Sequence, residues 1–332
     1  MSDVARLAGV SHQTVSRVLH ESPSVREETR ERVLAAMKTL DYRPNSAARA
    51  LVTGRTRTIG VISFDTTLHG PASTLLGIER AAHEADYFII IVSLRSFTRE
   101  SVLGALERLR DQGVDGIVVI APHETAVAAL HDLPPRPPVV VAEAGPDTLS
   151  VVEVDHFDGA AQATRHLLEL GHRTVWHIAG PADWLEAQRR VAGWQSALSE
   201  AGAPVPPPLV GDWSARSGHE LARGLLDRPE LTAVFVANDN MALGLLRAVH
   251  ERGRSVPGEL SVVGFDDIPE AAYFTPPLTT VRQDFDEVGR RSLDVLLREI
   301  EHGAPLLARV TVAAELIVRR SSGQPPPTGV GS

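Results

Sequence analysis

The sequence predicts an α/β protein in which a small helix-turn-helix head precedes a two-lobed body of doubly wound parallel sheets. Three observations carry that expectation. Residues 1–44 show only helix-period apolar spacing, interrupted by a glycine turn. From Thr58 onward, short apolar strands alternate with amphipathic helices, the pattern of parallel sheets covered by helices. That series runs twice, which implies two lobes.

In the head, Val4, Ala5 and Ala8 fit one face of a short helix, and Gly9 allows a tight turn. Ser11 is placed to cap a second helix whose Val15, Val18 and Leu19 turn inward. Ser24 and Glu27 read as a capping box opening a third helix to about Leu40. Its apolar face is Val33, Met37 and Leu40, with Val25 packing near the start. In such a bundle the second helix enters the DNA major groove with its N-terminal residues at base edges. His12, Gln13 and Arg17 fall on the outward face, and the geometry of Gln suits adenine and that of Arg suits guanine. Ser11, Thr14 and Ser16 suit phosphates, which fix register without reading sequence.

In the body, TIGVIS, YFIIIVS, DGIVVIA and PPVVVAE read as strands, with helices near Pro71–Ala85 and Glu100–Gln112. RTVWHIAG, TAVFVAND and LSVVGFDD form the second series, with helices near 158–170, 187–201, 218–226 and 241–252. A ligand is expected at the carboxyl ends of the strands, where the lobes face each other.

Composition narrows the function. The 332 residues suffice for two or three domains, and an apolar fraction of 43% is ordinary for a globular protein. The absence of cysteine excludes disulfides, thiolate catalysis and cysteine-ligated metals. The chain shows no secretory-type apolar run at its start and no apolar segment of membrane-spanning length, so a cytoplasmic location without a membrane partner is expected. Residues 1–58 carry a net charge of +4 and residues 59–332 a net charge of −13. An anion-binding head on an acidic body follows.

DVARLAGVSHQTVSRVL and TRERVLAAMKTLDYRPNSAARAL resemble the DNA-binding head of the LacI/GalR family of bacterial transcription repressors. The resemblance continues through LGHRTVWHIAGP, RRVAGWQSAL, VANDNMALGLLRAV, SVVGFDD and PPLTTVRQDFDEVG, which look like a type I periplasmic-binding-protein fold. It implies a head over 1–44, a hinge helix and linker over 45–58, and an effector-binding and dimerisation domain over 59–320. The first lobe would take residues 59–155 and 283–310, the second 156–282 and 311–320. In the hinge, Asn45 and Ala48 belong to the YRPN-x-x-A-x-x-L motif, and Leu51 takes the place of the leucine that wedges into the minor groove. The chain begins almost inside the first helix, without the family's short basic lead-in, so either the start lies upstream or some phosphate contacts are missing.

The resemblance also implies effector residues. Arg190 in R-x-x-G-W, Asn238 in A-N-D and Asp266 in G-F-D-D match the family's polar ligands. Their chemistry suits a polyol: Arg donates a fork, Asp accepts, and Asn does both. Leu68, Trp213, Gln283 and Phe285 match pocket positions of a sugar-responsive member, and His69 matches the neighbouring histidine. Phe64 and Asp65 stand where that member has a small serine, and Glu143 lies one position away from its first-lobe aspartate. The expected protein is a sugar- or glycoside-responsive repressor acting as a homodimer on double-stranded operator DNA, without catalytic activity, cofactor or metal. A nucleobase-responsive repressor is the alternative within the family. Outside it stand a sugar-binding module of an uptake system and a sugar-acting enzyme using Asp266 and Asp267 as acid and base. The thirteen histidines lack metal spacing, and no phosphate-loop, zinc-protease or nucleophile-elbow motif occurs. The tail SSGQPPPTGVGS, residues 321–332, reads as disordered and cannot form the leucine-heptad helix that joins two dimers in some family members.

Overall fold

The computed structural model describes residues 1–19, 24–42, 54–64, 66–94, 96, 98–120, 123–130 and 137–327. They fall into two compact units that divide between Arg57 and Thr58.

The head unit holds three helices, α1 (Ser2–Ala8), α2 (His12–Leu19) and α3 (Glu27–Thr39). Gly9 ends α1 in the left-handed region at φ 65°, where a side chain would be strained. Ser11 Oγ accepts from the Thr14 backbone N–H at 3.1 Å and so caps α2. Val4, Ala5, Ala8, Val15, Val18, Val33 and Ala36 form the core, and Arg32 Nη2 donates to the carbonyl of Ala8 at 2.9 Å. Two expectations fail. The residue capping α3 is Arg26, in extended conformation and without a side-chain cap bond, so the helix opens two residues beyond Ser24. Leu40 is exposed because α3 ends at Thr39; Ala36 takes the inward position.

The body unit contains two six-stranded sheets. The first has the order β11-β5-β4-β3-β1-β2, built from β1 (Thr58–Phe64), β2 (Phe88–Leu94), β3 (Gly116–Ile120), β4 (Val139–Ala142), β5 (Ser150–Val154) and β11 (Arg309–Val312). The second has the order β12-β10-β9-β8-β6-β7, from β6 (Trp176–Ala179), β7 (Leu209–Val210), β8 (Ala233–Val236), β9 (Ser261–Asp266), β10 (Thr279–Arg282) and β12 (Glu315–Ile317). Neighbouring strands are parallel, in registers such as Val61 beside Val118, except that β12 runs antiparallel to β10. The central strands are buried along their whole length, as expected for sheets covered on both faces, whereas the edge strand β2 leaves Phe88 and Ile91 exposed.

Helices α4 (His69–Glu84), α5 (Arg99–Asp111), α6 (Glu124–Ala129) and α11 (Phe285–His302) belong with the first sheet. Helices α7 (His156–Glu169), α8 (Leu185–Glu200), α9 (Ala215–Leu225) and α10 (Asp239–Glu251) belong with the second. The chain passes between sheets after Val154, after Arg282 and between Val312 and Glu315. Gly77 of α4 and Gly289 of α11 let those helices meet backbone to backbone; a Cβ at either would run into the facing chain.

The end of the chain departs from expectation. Ser321 is fully buried: its hydroxyl donates to Val262 O at 2.6 Å and accepts from Thr279 N at 2.7 Å. Gly323 N donates to Ser261 Oγ at 3.0 Å, and its carbonyl lies 3.0 Å from His172 Nε2. A serine and a glycine that look like linker composition here satisfy polar groups at the edges of β9 and β10. The body thus extends past residue 320.

Candidate functional site

The second head helix presents the expected row of side chains. His12, Gln13 and Arg17 are exposed, as is Ser11, while Thr14 and Ser16 are half-buried. Thr14 Oγ1 lies 3.0 Å from Ser11 Oγ, which fixes both hydroxyls near the start of the helix. Asn45, Ala48, Leu51 and Asp65 lie outside the described residues.

The body places a small cavity, of about 20 Å³, where the carboxyl ends of the two sheets face each other. Leu68, His69, Gly70 and Pro71 line it from the first lobe; Trp184, Glu186, Arg190, Trp213, Asn238 and Asp266 line it from the second, with Gln283 at the second crossing. Phe285 does not reach it. Its ring instead backs His69, edge to face, at 5.6 Å between centroids. Phe64 and Leu68 pack on the second-lobe cluster that contains Trp184 and Trp213, so apolar contact bridges the lobes.

Arg190 is the hub. It sits on α8 with 2% of its surface exposed, and its guanidinium lies 3.9 Å above the Phe265 ring centre. Nη1 donates to the carbonyl of Ala237 and lies 3.6 Å from Asp266 Oδ1, while Nε donates to His156 Nδ1 at 3.4 Å. A buried cation needs counter-charge, and three carboxylates ring it: Asp266, Glu186 and Glu143. Burial raises the pKa of each. For Asp266 the value is pushed up to about 7, opposed by Arg190 and by Gln283, whose Nε2 donates to Asp266 Oδ1 at 2.7 Å. Burial also lowers His156 to about 3, aided by Arg190, so the ring is neutral.

Other polar groups are already partly committed. Asn238 Oδ1 accepts from Met241 N at 2.9 Å, capping α10, and its Nδ2 donates to Trp213 O at 3.0 Å. One N–H and one lone pair remain for a ligand. Trp213 holds φ at 72°, and its ring lies over Gly180, the position where a Cβ would collide with it. Trp184 meets Trp213 edge to face at 5.7 Å and 72°, and the indole N–H of Trp213 has no partner among the described residues. Asp266 and Asp267, at φ 114° and 55°, both occupy the left-handed half of backbone space, an arrangement that aims the two carboxylates apart. Asp267 turns outward to bind Arg282 Nε at 2.7 Å and Arg319 Nη2 at 2.6 Å.

Ligand atoms of Glu143, His156 and Glu186 lie within 4.8 Å of one another, a spacing that could suit a metal ion. The wiring speaks for a hydrogen-bond chain instead. Because His156 Nδ1 accepts from Arg190, its single proton sits on Nε2, which faces Glu143 Oε2 at 3.4 Å; Thr74 donates to Glu143 Oε1 at 3.0 Å. A cation would have to displace that proton beside an arginine.

Sequence reasoning missed Trp184, Glu186 and His156 and left Glu143 one position off. Trp184 and Glu186 follow the end of β6, and His156 follows β5, so the rule that ligands sit at carboxyl ends of strands marks all three.

Among the described residues no helix is long and apolar enough to cross a membrane. Residues 1–45 match the bacterial regulatory proteins of the lacI family, and residues 164–322 match a periplasmic binding protein-like domain. The chain is 36% identical over 331 residues to the HTH-type transcriptional repressor PurR of Haemophilus influenzae (strain PittEE), covering 97% of this chain and 98% of that one. It is 36% identical over 328 residues to the lactose operon repressor of Klebsiella pneumoniae, covering 97% and 92%. The lac repressor dimer solved with operator and the anti-inducer ONPF superposes with a TM-score of 0.83 at 34% identity, covering 97% and 98%. The chain belongs to the lacI family of bacterial regulatory proteins and is a DNA-binding transcription regulator with a ligand-binding body.

Proposed function

We propose that this regulator is a homodimeric, cytoplasmic repressor of a carbohydrate-utilisation operon, released by a sugar or glycoside bound between its lobes. The observation that carries the effector class is the buried set around the cavity: Arg190, Asp266, Asn238 and Gln283 beside the Trp213 ring. Such a set offers both donors and acceptors to hydroxyls and an aromatic face to the C–H side of a ring. A purine, favoured by the likeness to PurR, stacks best between parallel aromatic faces. Trp184 and Trp213 stand at 72° and offer one face and one edge. The binding of Asp267 by two arginines supports a regulator over an acid–base enzyme.

On DNA, His12, Gln13 and Arg17 read bases, Ser11, Thr14 and Ser16 hold phosphates, and the hinge residues Asn45, Ala48 and Leu51 open the minor groove of a near-palindromic operator with a central CG step. Effector changes operator affinity only to the extent that it binds the two lobe arrangements unequally. Footprinting on the promoters flanking the gene, with and without D-glucose, D-galactose, lactose, cellobiose, guanine and hypoxanthine, tests the reading. Release of a symmetric footprint by a sugar supports it. Tightening or release by a nucleobase alone, or a single asymmetric half-site, overturns it.

A further inference from the structure

The lobes are closed on a site with almost no space in it. A cavity of about 20 Å³ has room for about one water molecule, far less than a sugar ring needs. Contacts within the chain itself therefore hold this closure. Apolar packing of Phe64 and Leu68 on the second lobe is one of them. A polar set at the rim is the other.

Three links cross from the first lobe to the second where the start of α6 meets the turn before α8. The Glu124 backbone N–H donates to the Asp183 carbonyl at 3.3 Å, and His123 forms an antiparallel bridge with Trp184. His123 Nδ1 accepts from the Thr125 N–H at 3.2 Å and so caps α6. The ring proton therefore sits on Nε2, which donates to Asp183 Oδ2 at 2.9 Å. Gln188 Nε2 donates to Glu124 Oε1 at 2.7 Å and to Ala182 O at 2.8 Å.

None of these residues belongs to a segment where the chain passes between the sheets. His156 and Glu143 also meet across the lobes, but at 3.4 Å and next to the crossing after Val154. Asp183 and Gln188 are exposed, so neither fills a core. Both stand on the same stretch of chain as Trp184, Glu186 and Arg190, which line the cavity. Parting the rim therefore moves the wall of the site.

We propose that His123, Glu124, Asp183 and Gln188 form a latch that holds the lobes closed over the empty cavity and sets a threshold for effector. A protein whose open form is a minor state binds its ligand more weakly, in proportion to the open fraction. One exposed hydrogen bond or ion pair contributes little, and three at one rim shift closure by on the order of tenfold. The latch rests on the reading of the cleft as the effector site, whatever the effector's chemistry.

Acrylamide quenching of tryptophan fluorescence in the full chain tests closure without any ligand. All four tryptophans are buried, and two of them, Trp184 and Trp213, line the cavity. Asp183→Ala together with Gln188→Ala removes both side-chain links, and the quenching constant should rise about twofold. Glu124→Cys with Gln188→Cys, joined by a short bis-maleimide in this cysteine-free chain, should keep quenching at the original level. Calorimetry with D-glucose, D-galactose, lactose and cellobiose then reads the threshold. At least one of them should bind the double alanine variant about fivefold tighter than the original protein. Unchanged quenching in that variant, or a bridged protein quenched as strongly as it is, overturns the latch and leaves the cleft reading standing. Stronger quenching without tighter binding of any of the four separates closure from effector, and both the threshold and the sugar reading of the cleft fall.

Discussion

The two lobes share one strand order but furnish the cavity differently. Of the charged groups that line it, Arg190, Glu186 and Asp266 all come from the second lobe, together with both tryptophans. The first lobe brings Leu68, Gly70 and Pro71, with His69 the polar exception. Both sheets turn their carboxyl ends to the cleft, so topology alone does not cause the asymmetry. It arises because the loops after β6, β8 and β9 end in residues that anchor their own helices or backbone, such as Asn238 at the cap of α10. Groups held in that way are pre-oriented, and a ligand meets them without further ordering cost. On the effector reading proposed above, the second lobe grips, the first covers, and occupancy reaches the first lobe mainly through packing.

The largest test of that division is Arg190→Ala. Loss of its charge-assisted bonds should weaken effector about 100-fold, or about 3 kcal/mol, while operator binding is retained. Unchanged effector affinity by calorimetry would remove the second lobe from its gripping role. Next comes Ser321→Ala, which leaves the Thr279 N–H and the Val262 carbonyl short of a partner. It should cost about 2 kcal/mol of stability. Hydrogen exchange should accelerate in β9 and β10 and not in β1 to β5; equal acceleration in both sheets would mean that the lobes do not open separately.

The pH dependence sharpens the comparison at Asp266. Burial lifts its pKa from 3.8 to about 7, so the folded state holds a proton that the unfolded state has lost between those values. The sign follows: this group's contribution to stability is greatest below pH 4 and declines as pH rises to about 7. A ligand hydroxyl that donates to Asp266 favours the ionised form, so effector affinity should rise between pH 6 and 8, by at most about tenfold per pH unit below the pKa. Asp266→Asn should flatten that profile; a profile that persists in the variant points to Glu186 or Glu143 instead. The smallest effect belongs to the covering lobe. Leu68→Ala should cost about 1 kcal/mol of effector affinity, roughly fivefold, through lost apolar contact. A loss matching that of Arg190→Ala would erase the distinction between the lobes.

Where the sequence was legible, local chemistry and periodicity agreed. The strands of each series, the helices between them and the outward row His12, Gln13 and Arg17 follow from spacing alone, and Arg190 and Asp266 sit in motifs beside strand ends. Two kinds of feature escaped. β5, β10, β11 and the short helix α6 went unread, as did β7 and β12, whose two and three residues are too few for any period to register. Ser321, His172 and Ser261 are polar residues whose roles depend on partners 42 or more positions away, which no local window holds. The helix α11 is a plainer omission: Val288, Ser292, Val295, Leu296 and Glu299 bury one face at helical spacing, so the signal was present.

The stitched C-terminal segment has a consequence for how the chain is made. The head's core closes within the first 42 residues, so it can fold while the ribosome is still at work on the first lobe. Neither lobe has that freedom. The first waits for α11 and β11, and the second waits for β12 and for Ser321 to seal β9 and β10. At about 5–20 residues per second, the folded head precedes a complete body by on the order of tens of seconds. During that interval a nascent chain carries a DNA-reading head with no ligand-sensing lobes to govern it.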